Sequence, residues 1–85
     1  MKDLNRVQLI GHLGHDPEVK YTERGTARTT FSVATSYCWK DANGQVQEAT
    51  EWTPCIAWGA LAEVCAQYVT KGSRIYAAGR LHTLR

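Results

Sequence analysis

The sequence is short of the signals that mark most specialised classes of protein. Its three cysteines, Cys38, Cys55 and Cys65, form an odd set with no CxxC pair, which argues against a disulfide framework or a zinc site and fits a reducing compartment. No apolar run approaches the roughly 20 residues that cross a bilayer, and the opening MKDLNRVQLI has no signal-peptide core. Internal repeats, low-complexity tracts and linkers are also absent. The net charge is only +2, which permits a polyanionic partner without demanding one. No Ser, His and Asp set and no Cys and His pair has an identifiable nucleophilic role, so neither catalysis nor a cofactor is expected. His12, His15 and Asp16 lack a fourth partner for a metal. Gly11 and Gly14 in GHLG are not followed by the GK[ST] of a phosphate-binding loop; a bulge or a close backbone approach is the expectation there.

What is present is an 85-residue chain, 44% hydrophobic and 21% charged. That length and composition predict one globular domain over residues 1–85, with a core small enough for an oligomer to be a natural source of further burial. In NRVQLIGHL, Val7, Leu9 and Leu13 alternate with Arg6, Gln8 and His12, the pattern of a half-buried strand. Residues 14–25 are rich in breakers and form a long connection, with a short extended piece at Val19 to Tyr21. A second strand is expected from Thr26 to Trp39, with Phe31 and Val33 on one face. Asn43-Gly44 is a strong hairpin signal and pairs that strand antiparallel with a third, from Val46 to Trp58. Leu61, Val64, Cys65 and Tyr68 fall at i, i+3, i+4 and i+7 and predict a helix buried along that stripe, stopped by Lys71 and Gly72. A fourth strand runs from Arg74 to about Leu84. This order of strand, strand, strand, helix, strand is that of an all-β OB-fold barrel whose fifth strand is missing.

Trp52 and Trp58, six positions apart in EWTPCIAWG, decide the functional reading. In a strand they share a face with Pro54 and Ile56, opposite Thr53, Cys55 and Ala57. Periodicity alone would bury the larger set and expose the smaller. Pro54 removes a ladder donor, so this strand should be bulged or lie on an edge.

The motifs LIGHLGHDPEVKYTERG, FSVATSYCWKDANG, TEW, AWGALAE, YVTKGS and IYAAGRLHT resemble, in order and spacing, the bacterial single-stranded DNA-binding protein family, from Asn5 to Arg85. The resemblance implies an OB barrel, a homotetramer and single-stranded DNA wrapped over the outer surfaces. It places Trp39, Trp52 and Trp58 at base-stacking positions, so the rings are expected on an open face. Stacking suits any base, because every base has a π-face. Lys2, Arg6, Lys40, Lys71, Arg74, Arg80, His82 and Arg85 are the candidates for phosphate contacts, Arg80 sharing strand parity with His82. Leu9 and Tyr76 match positions near subunit contacts. The sequence departs from the family where Ala60 replaces a frequent lysine, where Thr53 and Pro54 replace a histidine and a basic residue, and where His82 and Leu84 stand at arginine positions. A weaker electrostatic groove follows.

The resemblance stops where family members continue with another aromatic, a hairpin, a fifth strand and a tail whose acidic end recruits replication and repair proteins. Unpaired edges would remain, and another subunit is expected to cover them. The function implied is sequence-independent binding and protection of single-stranded DNA in replication, recombination and repair, in the cytoplasm at the nucleoid. The alternative is an OB-fold protein-interaction module of a primosome-like assembly, with weak DNA binding.

Overall fold

A computed structural model describes residues 2–83. Its elements are β1 (Val7–Leu13), β2 (Glu18–Tyr21), β3 (Ala27–Lys40), β4 (Val46–Trp58), α1 (Gly59–Tyr68) and β5 (Arg74–Gly79). The short extended piece anticipated in the first connection is thus a true strand, β2. Every strand pairing is antiparallel, and β3 is the organising element. Along one edge it pairs first with β2 and then with β1, while β4 takes its other edge and β5 adds to the far side of β1. Among the described residues β4 has no second strand partner, so Pro54 sits on an edge strand, where its missing N–H leaves no ladder bond unmade.

The β3–β4 ribbon runs without a bulge from Arg28 opposite Trp58 to Lys40 opposite Val46. It closes through the loop Ala42–Asn43–Gly44, where Gly44 takes φ +76°, a conformation costly for any residue with a Cβ. Beyond the strands that brace its base, the ribbon projects as an arm. The radius of gyration is 15.9 Å, against about 12 Å for a compact chain of this length.

The buried set is correspondingly thin. Leu13, Ala27, Val33, Ala57 and Ala62 are the buried apolar residues among those described, with Thr29 beside them. Gly11 lies under β3, where a Cβ would run into the Ala34 carbonyl and the Val33 side chain. The close backbone approach expected of that glycine is what the fold uses.

Three expectations need correction. The helix does not bury the stripe Leu61, Val64, Tyr68; those three are exposed. It docks instead through Ala62, with Cys65 half-buried, onto Ala27, Ala57 and Phe31. Thr29 Oγ1 donates to the Ala62 carbonyl at 2.7 Å, which holds the helix axis close to a sheet face made of small side chains. The helix also ends at Tyr68 rather than near Lys71. Lys71 belongs to the following turn, where its N–H donates to Asp16 Oδ1 at 2.7 Å.

The last strand ends at Gly79, not near Leu84, so Arg80 and His82 lie beyond it and share no strand parity. Continuing the ladder would set Arg80 directly opposite Arg6, and like charges in that position are destabilising. The segments flanking this pair are joined by the Asn5 side chain instead, which donates to the Leu81 carbonyl and accepts from the Leu81 N–H at 3.0 and 2.9 Å.

Candidate nucleic-acid interface

Residues directly opposite on paired antiparallel strands share a face, so the register settles which side chains can act together. One face carries Trp52 opposite Ala34, Pro54 opposite Ser32, Ile56 opposite Thr30 and Trp58 opposite Arg28. Both rings are half open, Trp52 at 54% and Trp58 at 55% exposure. The other face of β4 carries Thr53, Cys55 and Ala57 toward the helix and core. Small residues therefore go in and large ones out, the reverse of what strand periodicity alone predicts. The reason is that the inner face lies under a closely docked helix with little room to fill.

Each ring has a seat. A Cβ on Gly14 would fall 2.5 Å from the Trp52 ring, so that glycine provides the floor on which the indole lies. Arg28 places its guanidinium carbon 5.7 Å from the Trp58 ring centroid, within cation–π range. Between the two tryptophans runs a shallow depression lined by His15, Arg28, Thr30, Ser32, Pro54 and Ile56, among others. Six strand residues separate the rings by about 20 Å, too far to clamp one base and suited to separate bases along a strand.

A row of side chains crosses the sheet from this site. Arg74 on β5 is opposite His12 on β1, His12 is opposite Ala34 on β3, and Ala34 is opposite Trp52. The fold thus brings Arg74 and Trp52 onto one surface. It does not bring Trp39 there, because the unbroken register puts Trp39, opposite Gln47, on the other face of the ribbon. Lys40 is exposed at the end of the arm on the Trp52 side. Lys2, Arg6, Arg80 and His82 are exposed at the opposite end of the β1–β5 pair, and Lys71 in the turn after the helix is exposed as well. Arg85 and Leu84 lie outside the described residues. Leu9 is half-buried on the inner face of β1, whereas Tyr76 is exposed on the outer face, opposite Ile10, and accepts a hydrogen bond from Gln8 Nε2 at 2.9 Å.

Arg28 was not among the expected contacts. Its only sequence signal is register: it meets Trp58 if the hairpin loop has three residues, and misses it by one position with a two-residue Asn-Gly turn.

The single-strand binding protein family matches residues 4–85. The chain belongs to that family. It is 50% identical over 82 residues to single-stranded DNA-binding protein 1 of Chlorobaculum tepidum, covering 96% of this chain and 51% of the relative. With the single-stranded DNA-binding protein of Neisseria meningitidis serogroup A it shares 50% over 80 residues, 94% of this chain and 46% of the relative. The chain therefore spans about half the length of these curated relatives. A Plasmodium falciparum SSB solved in complex with single-stranded DNA superposes with a TM-score of 0.88 at 32% identity, over 96% of this chain and 73% of that one. A single-stranded DNA-binding protein of Thermus aquaticus gives 0.79 at 32% identity, over 91% and 38%. The strand order and these neighbours establish the SSB-type OB-fold. No helix among the described residues is long and apolar enough to cross a membrane.

Proposed function

We propose that this chain binds single-stranded DNA without reading its sequence and protects it during replication, recombination and repair. The observation that carries this reading is the pair of half-open indoles, Trp52 and Trp58, on one face of the β3–β4 ribbon with Arg28 beside them. Bases stack on the rings, each stack being worth roughly 1–3 kcal/mol. Arg28, Arg74 and Lys40 follow the phosphates. Arg28 supplies from β3 a charge that family members often carry on β4 or at the helix start, where this chain has Pro54 and Ala60. The chemistry is binding alone, in the cytoplasm, and no cofactor takes part.

The thin core, an edge of β4 without a strand partner among the described residues, and exposed apolar side chains such as Ile10 and Tyr76 support assembly into an oligomer, a homotetramer by family analogy. The alternative reading, a protein-interaction module with weak DNA binding, draws on the uncovered helix stripe Leu61, Val64 and Tyr68.

Titration with oligo(dT), followed by tryptophan fluorescence, tests the two. Saturable quenching that Trp52→Ala weakens by about 5- to 150-fold is expected for stacking. Quenching absent at every salt concentration would overturn the single-strand reading and leave the interaction module.

A further inference from the structure

Asparagine occurs twice in the sequence, and the two residues stand in opposite situations. Asn5 precedes Arg6, and the Leu81 backbone holds both ends of its side-chain amide. Asn43 precedes Gly44 at the exposed tip of the β3–β4 ribbon. A following glycine obstructs attack on a side-chain amide least, because it has no Cβ, and the space around Gly44 is open: a Cβ built there would meet nothing within 4 Å. Asp41 is what restrains this pair. The Gly44 N–H donates to the Asp41 carbonyl at 3.0 Å. The Asn43 and Gln45 N–H groups donate to Asp41 Oδ1 at 2.9 and 3.0 Å, and Gln47 Nε2 donates to Asp41 Oδ2 at 3.0 Å. The backbone nitrogen that could attack the Asn43 amide is thus engaged, and the nearby carboxylate opposes the loss of its proton.

We propose that Asn43 is a site of spontaneous deamidation, held latent by the Asp41 turn. When the tip opens locally, the Gly44 nitrogen gives up its proton and attacks Asn43 Cγ. The N–Cγ bond forms, the Cγ–Nδ2 bond breaks, and the amide nitrogen leaves as ammonia with that proton. Water then opens the cyclic imide at either carbonyl, which gives aspartate or isoaspartate at position 43. Isoaspartate lengthens the loop backbone by one methylene, and both products set a second carboxylate beside that of Asp41. Neither suits a three-residue loop closed on one carboxylate, so the modified tip should lose its bonds to Asp41. The new charge also lies three residues from Lys40 and should weaken the phosphate contact assigned to it. That consequence for DNA rests on the single-strand reading; the modification itself does not.

Peptide mapping by mass spectrometry, on the full chain incubated at mildly alkaline pH, reads the conversion of amide to acid at each asparagine. Asn43 is expected to convert to two products that separate on chromatography, with Asn5 unchanged as the internal reference. Asp41→Ala should speed the conversion about tenfold or more, since it removes three hydrogen bonds to a charged group. Asp41→Asn keeps a carbonyl acceptor and should fall between the two. An Asn43 that stays an amide in the folded chain, whether or not the urea-unfolded chain converts, would overturn the site. Equal rates in the unsubstituted chain and Asp41→Ala would overturn the latch, and aspartate as the single product would overturn the cyclic route through Gly44. The converted protein, isolated by ion exchange, should bind oligo(dT) with a salt slope lower by up to about 0.7. An unchanged slope would remove Lys40 from the consequence and leave the deamidation standing. Absence of oligo(dT) binding by the unconverted chain would sink the single-strand reading and leave the mass result untouched.

Discussion

The two ends of the β3–β4 ribbon have the same strands, the same register and the same kind of side chain, and they handle aromatic rings differently. At the base, β1, β2 and α1 back the ribbon, and each tryptophan rests on a residue outside its own strand: Trp52 on Gly14 and Trp58 against its cross-strand partner Arg28. At the tip none of the described elements backs the ribbon, and Tyr37 and Trp39 rest on each other. Rings at the base are fixed by long-range packing, so their position depends on the whole fold. Those at the tip are fixed by local stacking and a hydrogen-bonded turn. A disturbance of the core should therefore disable the base and spare the tip only as long as the domain stays folded.

The largest effect is expected from Gly11→Ala. The new methyl would meet the backbone carbonyl of Ala34, which cannot move aside without breaking the β1–β3 contact. A loss of about 3 kcal/mol, at the upper end for overpacking, is expected, with a fall in Tm of about 12–24 °C. A fall of under about 4 °C would mean that β1 and β3 are less tightly coupled than the structure has them. Gly14→Val comes next. Its side chain collides with the Trp52 ring, which is held on one side only and can tilt away. Stability should fall by about 1 kcal/mol, whereas oligo(dT) affinity falls about as far as in Trp52→Ala. Loss of affinity with unchanged Gly44 and Gln45 amide shifts would separate the base from the tip directly.

The strands, the Asn-Gly hairpin and the single helix were legible in the sequence because each rests on local signals. Faces were not. Strand period says that Trp52 and Trp58 share a side but not which side is open; the seat at Gly14 and the close docking of Ala62 decide that, and both are long-range. The helix stripe was misassigned for the same reason. Its large residues have the correct period, but Thr29, Ala27 and Ala57 leave room only for an alanine. Trp39 illustrates the sharpest limit. A change of one residue in the hairpin loop exchanges every cross-strand partner, and the three-residue loop is what pairs Arg28 with Trp58. The family resemblance gave Trp39, Trp52 and Trp58 one role, whereas the register divides them between the two faces of the ribbon, and it said nothing of Arg28.

A smaller effect at the base comes from the cation. Arg28→Gln should weaken oligo(dT) binding several-fold and reduce the salt slope by about 0.7, the share of one neutralised phosphate on a single strand. Arg28→Lys should restore the slope and only part of the affinity, since a compact ammonium keeps the charge without the planar stack on Trp58. An unchanged slope in Arg28→Gln would mean that the guanidinium serves Trp58 alone and touches no phosphate.

The smallest effect belongs to the tip and depends on pH. The Gln45 N–H, the Gln47 side-chain amide and the Asn43 N–H all donate to the Asp41 carboxylate and hold its pKa below the ordinary range, the Gln45 bond contributing most. Folded-state depression means that the charged form favours the native turn. Its contribution is complete above the unfolded pKa, about 4, and is lost as the pH falls through the lower folded value. Gly44 and Gln45 amide resonances should thus drift toward flexible-loop positions only below about pH 4, and Asp41→Asn should abolish that drift. If the tip is as independent of the core as its local bonding implies, Trp52 should keep its seat on Gly14 throughout this change. A Trp52 resonance that moved together with Gly44 would show instead that the ribbon responds as one body, and that the two aromatic surfaces are coupled through its strands.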